Sequence, residues 1–385
     1  MYKKLYLLFI LLGLNTLALG QKSIPSNAQI SVLTIGPGDN LNDAFGHNGI
    51  RIKTTYSDIV YDFGRYNFED PNFYLNFAKG KLNYLQGKAY TNNVLDFYKS
   101  ENRSIKEQIL NLDAKQKKTL HAFLEANYAK NKGAYLYDFF YDNCATKIRD
   151  VVELASSNTI KYDLPTDYKS QTFRDLIQNN LNRNTWGSLG IDIALGAVID
   201  REATPREHLF LPENIYKFFE KASINNQSLV SESKTLNQVN KSKISGVFIF
   251  SPLVILTLLA SFIGFITYKD FKNNKRSKWL DVSIHVILGS IGLLLCLLWF
   301  ATDHSATANN YNLLWAFPIS LIAVIEANKN TPKKWFIAYL KFCLLMLCLL
   351  TIHWLTGVQK FAPVLIPILI ALFVRYIYIL KFLKK

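Results

Sequence analysis

The chain has 385 residues, half of them hydrophobic and 19% charged, and its formal net charge is +15. So much apolar surface excludes a disordered chain. Residues 246–385 hold 14 Lys/Arg against 4 Asp/Glu, whereas residues 21–245 hold 28 against 25. The excess base therefore lies in the apolar part, and no basic domain is left to bind nucleic acid.

In chain order, Lys3 and Lys4, an apolar stretch and small residues before Gln21 form a secretory signal-peptide pattern over residues 1–20. This pattern predicts export of the domain that begins at Gln21. Strands are expected near 28–35, 48–55, 58–63 and 104–112. Asp113 and Gln116 form a capping-box pattern that opens a helix to about residue 130. A second helix begins near Asn143 and a third spans about 171–182. Thr204 and Glu207 form another capping-box pattern, and Pro212 opens a last helix. Strands before helices define an α+β exported domain over residues 21–221. Residues 222–245, rich in Ser, Asn, Gln and Lys, read as a linker. Aromatic residues crowd 61–98 and 135–141. They read either as core or as a groove for acyl chains beside a membrane.

Five apolar stretches complete the chain, near 246–268, 279–301, 313–327, 335–356 and 362–380. All but the short third reach or approach the roughly 20 residues that cross a bilayer. Lys269, Lys272, Lys275, Arg276 and Lys278 come after the first stretch, Lys329, Lys333 and Lys334 after the third, and Lys381, Lys384 and Lys385 after the last. The positive-inside rule makes these connectors cytoplasmic and agrees with export of the N-terminal domain. Residues 246–385 are thus expected to form an all-α transmembrane bundle with a cytoplasmic C-terminus. Lys341 and Arg375 read as snorkelling bases. His304 and Asn309, in the loop after the second stretch, face the exported side.

Three of the four cysteines fall in the apolar stretches, and Cys144 is alone in the exported domain. It stands at a helix start, in Tyr141-Asp142-Asn143-Cys144-Ala145-Thr146. There the helix dipole and free N–H groups favour a thiolate nucleophile and can hold an oxyanion. The alternative is a buried, inert thiol. Of the domain's histidines, His121 lies in a charged helix and His208 beside a cap. His47, between Gly46 and Gly49 at a strand start, is the better base. Asp62, on the next strand, faces away from Tyr61 and Phe63 and can orient the imidazole. Asp142 and Asn143 remain alternatives for that role. Tyr61, Tyr141, Arg51, His304 and Asn309 are candidates to line the substrate path. No CxxC, HExxH or phosphate-binding glycine loop is present, so no metal or other cofactor is expected.

The runs FGHNGIRI, VYDFG and YDNCATKIRD, with FLPENI and HSATANNYNLLWAFP, resemble the bacterial lipoprotein N-acyltransferase family Lnb. Asn48, Ala145 and Lys147 depart from that family's pattern beside the reactive atoms. The order of His strand before Cys helix is also similar to the permuted papain-like fold of lecithin:retinol acyltransferase and NlpC peptidases. The resemblance implies that Cys144 takes an acyl chain from a membrane phospholipid and passes it to the α-amino group of a diacylated lipoprotein. His47 would act as base. The implied location is the inner membrane, with the catalytic domain in the periplasm. A cell-wall peptidase or amidase of NlpC type, and a non-enzymatic envelope module, are the other readings.

Overall fold

A computed structural model describes residues 24–239 and 248–384. The expected signal peptide, residues 1–20, lies outside the described residues. Strands β1 (Gln29–Ile35), β2 (His47–Lys53), β3 (Asp58–Arg65), β4 (Asn83–Tyr90), β5 (Ile105–Leu110), β6 (Tyr135–Leu136) and β9 (Val230–Asn237) form one antiparallel sheet. Its order is β6-β4-β3-β2-β1-β5-β9. Strands β7 (Ser223–Ile224) and β8 (Gln227–Ser228) form a separate hairpin. The four strands expected from sequence are all present, as short runs containing β-branched and aromatic residues that suit a pleated, buried sheet.

Each face of the sheet is covered by helices. Ile30, Val32, Ile50, Ile52, Tyr61 and Phe63 pack against α3 (Ala114–Ala129), α4 (Cys144–Ala155) and α7 (Pro212–Lys221). In α4 the apolar residues Ala145, Ile148, Val151, Val152 and Ala155 recur at helical spacing on one buried face. Burying a side chain such as Ile148 contributes about 1.5–3 kcal/mol. On the other face Leu33, Ile35 and Val60 pack against Val94 of α2 (Thr91–Ser100). Helix α1 (Phe73–Lys79), β4 and α2 lie in the aromatic-rich stretch, for which the sequence reading assigned no elements. Helix α5 (Phe173–Gln178) matches the third expected helix, and α6 (Trp186–Ala194) was not foreseen.

The expected linker, 222–245, needs correction. Its described part makes the β7–β8 hairpin and the edge strand β9, which pairs with β5. Polar composition here reflects an edge strand with a mostly exposed surface, not a flexible tether.

Helices α8 (Pro252–Lys272), α9 (Lys278–Phe300), α11 (Lys334–Leu355) and the segment Pro363–Phe382, which contains α12 (Ile366–Phe382), are long and apolar enough to cross a membrane. The third expected span is no continuous helix. It is an irregular stretch, with a 3-10 turn at Tyr311–Leu314, leading into the short α10 (Ser320–Ala327). This segment returns along α9: Gly292 lies against the Ala316 carbonyl, Gly289 against Leu321, and Arg276 Nη2 donates to the Ala327 carbonyl at 2.6 Å. Irregular backbone at such a place needs protein around it. Asn312 and Ala316 are fully buried accordingly. Arg375 does not snorkel. It is fully buried and donates to Asp281 and Asp270, both at 2.8 Å, because two carboxylates of neighbouring helices lie within reach.

The N-terminal domain is docked on the loops that follow α9 and α11. Asn310 Nδ2 donates to the carbonyls of Ile193 and Ala194 at the end of α6, and Asn312 Nδ2 to that of Asp192. Gly196 and Ala197 donate to the carbonyls of Ala306 and Asn309. Lys360, in the loop after α11, pairs with Asp175.

Candidate active site

His47 opens β2 and Asp62 lies in β3, where it is paired with Gly49. Both side chains belong to the face opposite Ile50 and Tyr61. His47 Nε2 donates to Asp62 Oδ2 at 3.3 Å, which leaves the other ring nitrogen, Nδ1, for the Cys144 thiol. The Cys144 thiol lies near enough to the imidazole to help raise its pKa.

Helix α4, which starts at Cys144, packs on the other face of the sheet, and a β-bulge brings the two sides together. Phe63 pairs with Gln86 and Arg65 with Leu85, so Gly64 is the extra residue. Continuing the β2–β3 register from Gly49 opposite Asp62 sets His47 opposite Gly64. Gly64 has φ +92°, and a Cβ there would stand 3.7 Å from the Cβ of Cys144. The missing side chain lets the helix start close against the end of the sheet beside His47. The extra residue also reverses the alternation of side chains, so Arg65 shares a face with Asp62. Arg65 Nε and Nη2 donate to the two carboxylate oxygens at 2.7 and 3.0 Å.

Charge follows from this packing. Burial alone would push the His47 pKa down. Tyr98, Cys144 and the Asp62 carboxylate outweigh it and hold the imidazole well above its ordinary 6.5. Burial raises the pKa of Asp62, but His47 and Arg65 more than offset it, so Asp62 stays an anion below the usual range. Tyr137, whose ring edge would be 3.7 Å from a Gly64 Cβ, is pushed well above 10 by burial and then by Cys144. It remains a neutral phenol.

The remaining candidates fall elsewhere. Asn143 is the N-cap of α4: its Oδ1 accepts from the N–H groups of Ala145 and Thr146, and its Nδ2 donates to the carbonyls of Phe139 and Phe210. Two of the N–H groups expected at an oxyanion are thereby used, and both ends of the Asn143 amide are engaged with backbone groups. Asp142 pairs with Lys147 at 2.7 Å. Tyr61 is buried in the core and donates to Glu125, on the face opposite Asp62. Arg51 is held between Asp58 and Glu107, since two carboxylates flank it on the sheet. Tyr141 is half exposed and accepts from Arg201 Nη2 at 3.1 Å. His304 Nε2 donates to the Phe77 carbonyl at 3.0 Å, tying the outer loop to α1. Asn309, in a left-handed turn, contributes its backbone carbonyl to the docking contact. His208 is buried against Tyr168, in keeping with a structural residue.

Arg65, Gly64 and Gly87 have no assigned role in the sequence reading, whereas Tyr98 and Tyr137 lie in the aromatic stretches read either as core or as an acyl-chain groove. Gly64, a glycine at the end of a predicted strand, was the available signal for a bulge.

An exported α+β domain with a Cys–His–Asp cluster, docked on apolar helices, defines a membrane-bound protein with a thiol–imidazole site. Two family models match the chain: the Lnb N-terminal periplasmic domain over residues 18–179 and the Lnb transmembrane domain over residues 242–385. The chain belongs to the Lnb family of lipoprotein N-acyltransferases, and its N-terminal domain is periplasmic. No curated protein and no solved structure was found to match it.

Proposed function

We propose that this protein is an inner-membrane enzyme that moves an acyl chain from a phospholipid, through a Cys144 thioester, to the α-amino group of a diacylated lipoprotein. The observation that carries the reading is the approach of Cys144, His47 and Asp62 around Gly64, in a domain docked on membrane loops.

In the first step the Cys144 sulfur attacks the ester carbonyl and His47 Nδ1 holds the thiol proton. The tetrahedral oxyanion collapses with cleavage of the carbon–oxygen bond. His47 then delivers the proton to the departing lysophospholipid oxygen. In the second step the neutral amine attacks the thioester carbonyl, His47 accepts the amine proton, and cleavage of the carbon–sulfur bond restores the thiol. Asp62 orients the ring by accepting from Nε2 and stabilises the imidazolium. With Ala145 and Thr146 tied to Asn143, the N–H of Cys144 itself is the donor we assign to the oxyanion.

The test is the mass of a diacylated lipopeptide incubated with purified full-length protein and phospholipid vesicles, with Cys144→Ser in parallel. One added acyl chain on the amine, absent with the variant, is the expected result. Unchanged lipopeptide with folded wild type refutes the proposal. Free fatty acid or cleaved peptide would point instead to a hydrolase.

A further inference from the structure

The reactive thiol and the outer membrane loop are joined by a continuous run of aromatic rings. At the membrane end, α1 is clamped to the loop after α9. His304 donates to the Phe77 carbonyl, and the Asp303 N–H donates to the Lys79 carbonyl at 2.9 Å. From Phe77 the rings step to Phe73 (6.4 Å between centroids), Phe68 (4.8 Å) and Tyr66 (4.9 Å). They continue to Tyr84 (5.5 Å) and Tyr137 (4.3 Å). Tyr137 and Cys144 then meet over the bare backbone of Gly64.

Packing the core does not account for this run. Phe77 and Phe68 are 53% and 61% exposed, and their neighbours Tyr74 and Leu75 are 77% and 51% exposed. Exposed apolar surface of this kind marks a contact site. Helix α1, FYLNFAK, carries no charge before its last residue. The surface is contiguous at one end with a loop fixed at the outer end of a membrane helix. At the other end it reaches a nucleophile.

We propose that this run is the track along which one acyl chain of a membrane phospholipid leaves the periplasmic leaflet and is laid beside Cys144. The proposal rests on the acyl-transfer reading and names the route by which its donor arrives. Rings stepping at contact distance offer an extended hydrocarbon chain continuous dispersion contact, and phenolic groups near the thiol suit the more polar ester.

The test uses full-length protein carrying Cys144→Ala, so that labelling does not depend on turnover. The protein is placed in phosphatidylethanolamine vesicles containing a phospholipid with a diazirine midway along one acyl chain. After irradiation, adducts are mapped by peptide mass spectrometry. Adducts are expected on the peptides of α1 and of Tyr84, as well as on the membrane helices. Adding Phe77→Asp should lower those at Tyr84 and Tyr137 at least tenfold and leave the helix adducts unchanged, whereas Phe77→Leu retains them. Adducts confined to the helices, or equal loss with Asp and Leu, overturn the track. Wild-type protein in the same vesicles reports the underlying reading separately, through the acyl mass on Cys144. Labelled rings without that mass would uphold the lipid track and refute acyl transfer. An acylated thiol with unlabelled rings would do the reverse.

Discussion

Asp62 faces Gly87 across the β3–β4 ladder, and a Cβ at Gly87 would stand 2.0 Å from the Asp62 carboxylate. The same added atom would stand 2.0 Å from Arg65 Nε. The bare strand at Gly87 therefore makes the room in which Asp62 holds Arg65 on one side and His47 on the other.

Gly87→Ala should leave the fold intact and displace that carboxylate. Acyl transfer is expected to fall about a hundredfold, within the range of a misplaced general base. Circular dichroism of the purified variant checks the fold. Activity within twofold of wild type would show that Asp62 does not orient His47.

Asp62→Asn removes an anion beside His47. The imidazole pKa, now held above 6.5, must fall, because burial already pulls it down. Fewer imidazolium partners then face the thiol near neutrality. Alkylation of Cys144 by iodoacetamide should slow at pH 6–7, and its pH profile should move to higher pH. An unmoved profile would count against the assigned pair.

Asn143→Ala removes the cap of α4 and leaves the carbonyls of Phe139 and Phe210 without their amide donor. A lost cap costs about 1 kcal/mol, and each lost hydrogen bond about 1 kcal/mol more. Asn143→Asp keeps the cap acceptor but loses both amide hydrogen bonds, about 2 of those roughly 3 kcal/mol. Denaturant midpoints of the three proteins test the ranking.

Gly196→Ala would set a Cβ 1.9 Å from the Ala308 carbonyl, where the outer loop meets the exported domain. The loop must yield. We expect faster proteolysis at residues 302–310 and reduced transfer from vesicles. Iodoacetamide reactivity of Cys144 should stay near wild type, because the site is assembled within the domain. Equal loss of both would place the docking loop inside the catalytic unit.

Much of the fold was legible in residue order. Short runs with β-branched and aromatic residues marked β1, β2, β3 and β5, and the Asp113 and Asn143 positions marked the starts of α3 and α4. Those patterns are local, so a linear reading recovers them. Cys144 at a helix start, and His47 and Asp62 on adjacent strands, came from the same patterns. The choice among Asp62, Asp142 and Asn143 did not, since all three lie near the reactive residues in fold or chain. Only packing turned Asn143 into a cap and gave Asp142 to Lys147. Arg65 was invisible because one extra residue at Gly64 reverses every side chain beyond it, and nothing in alternation announces such a reversal. The polar strand β9 was misread, and the break in the third apolar segment went unseen, for a related reason. Composition reports what a segment would do alone, whereas the sheet edge and the buried Asn312 contacts supply partners that come from distant parts of the chain.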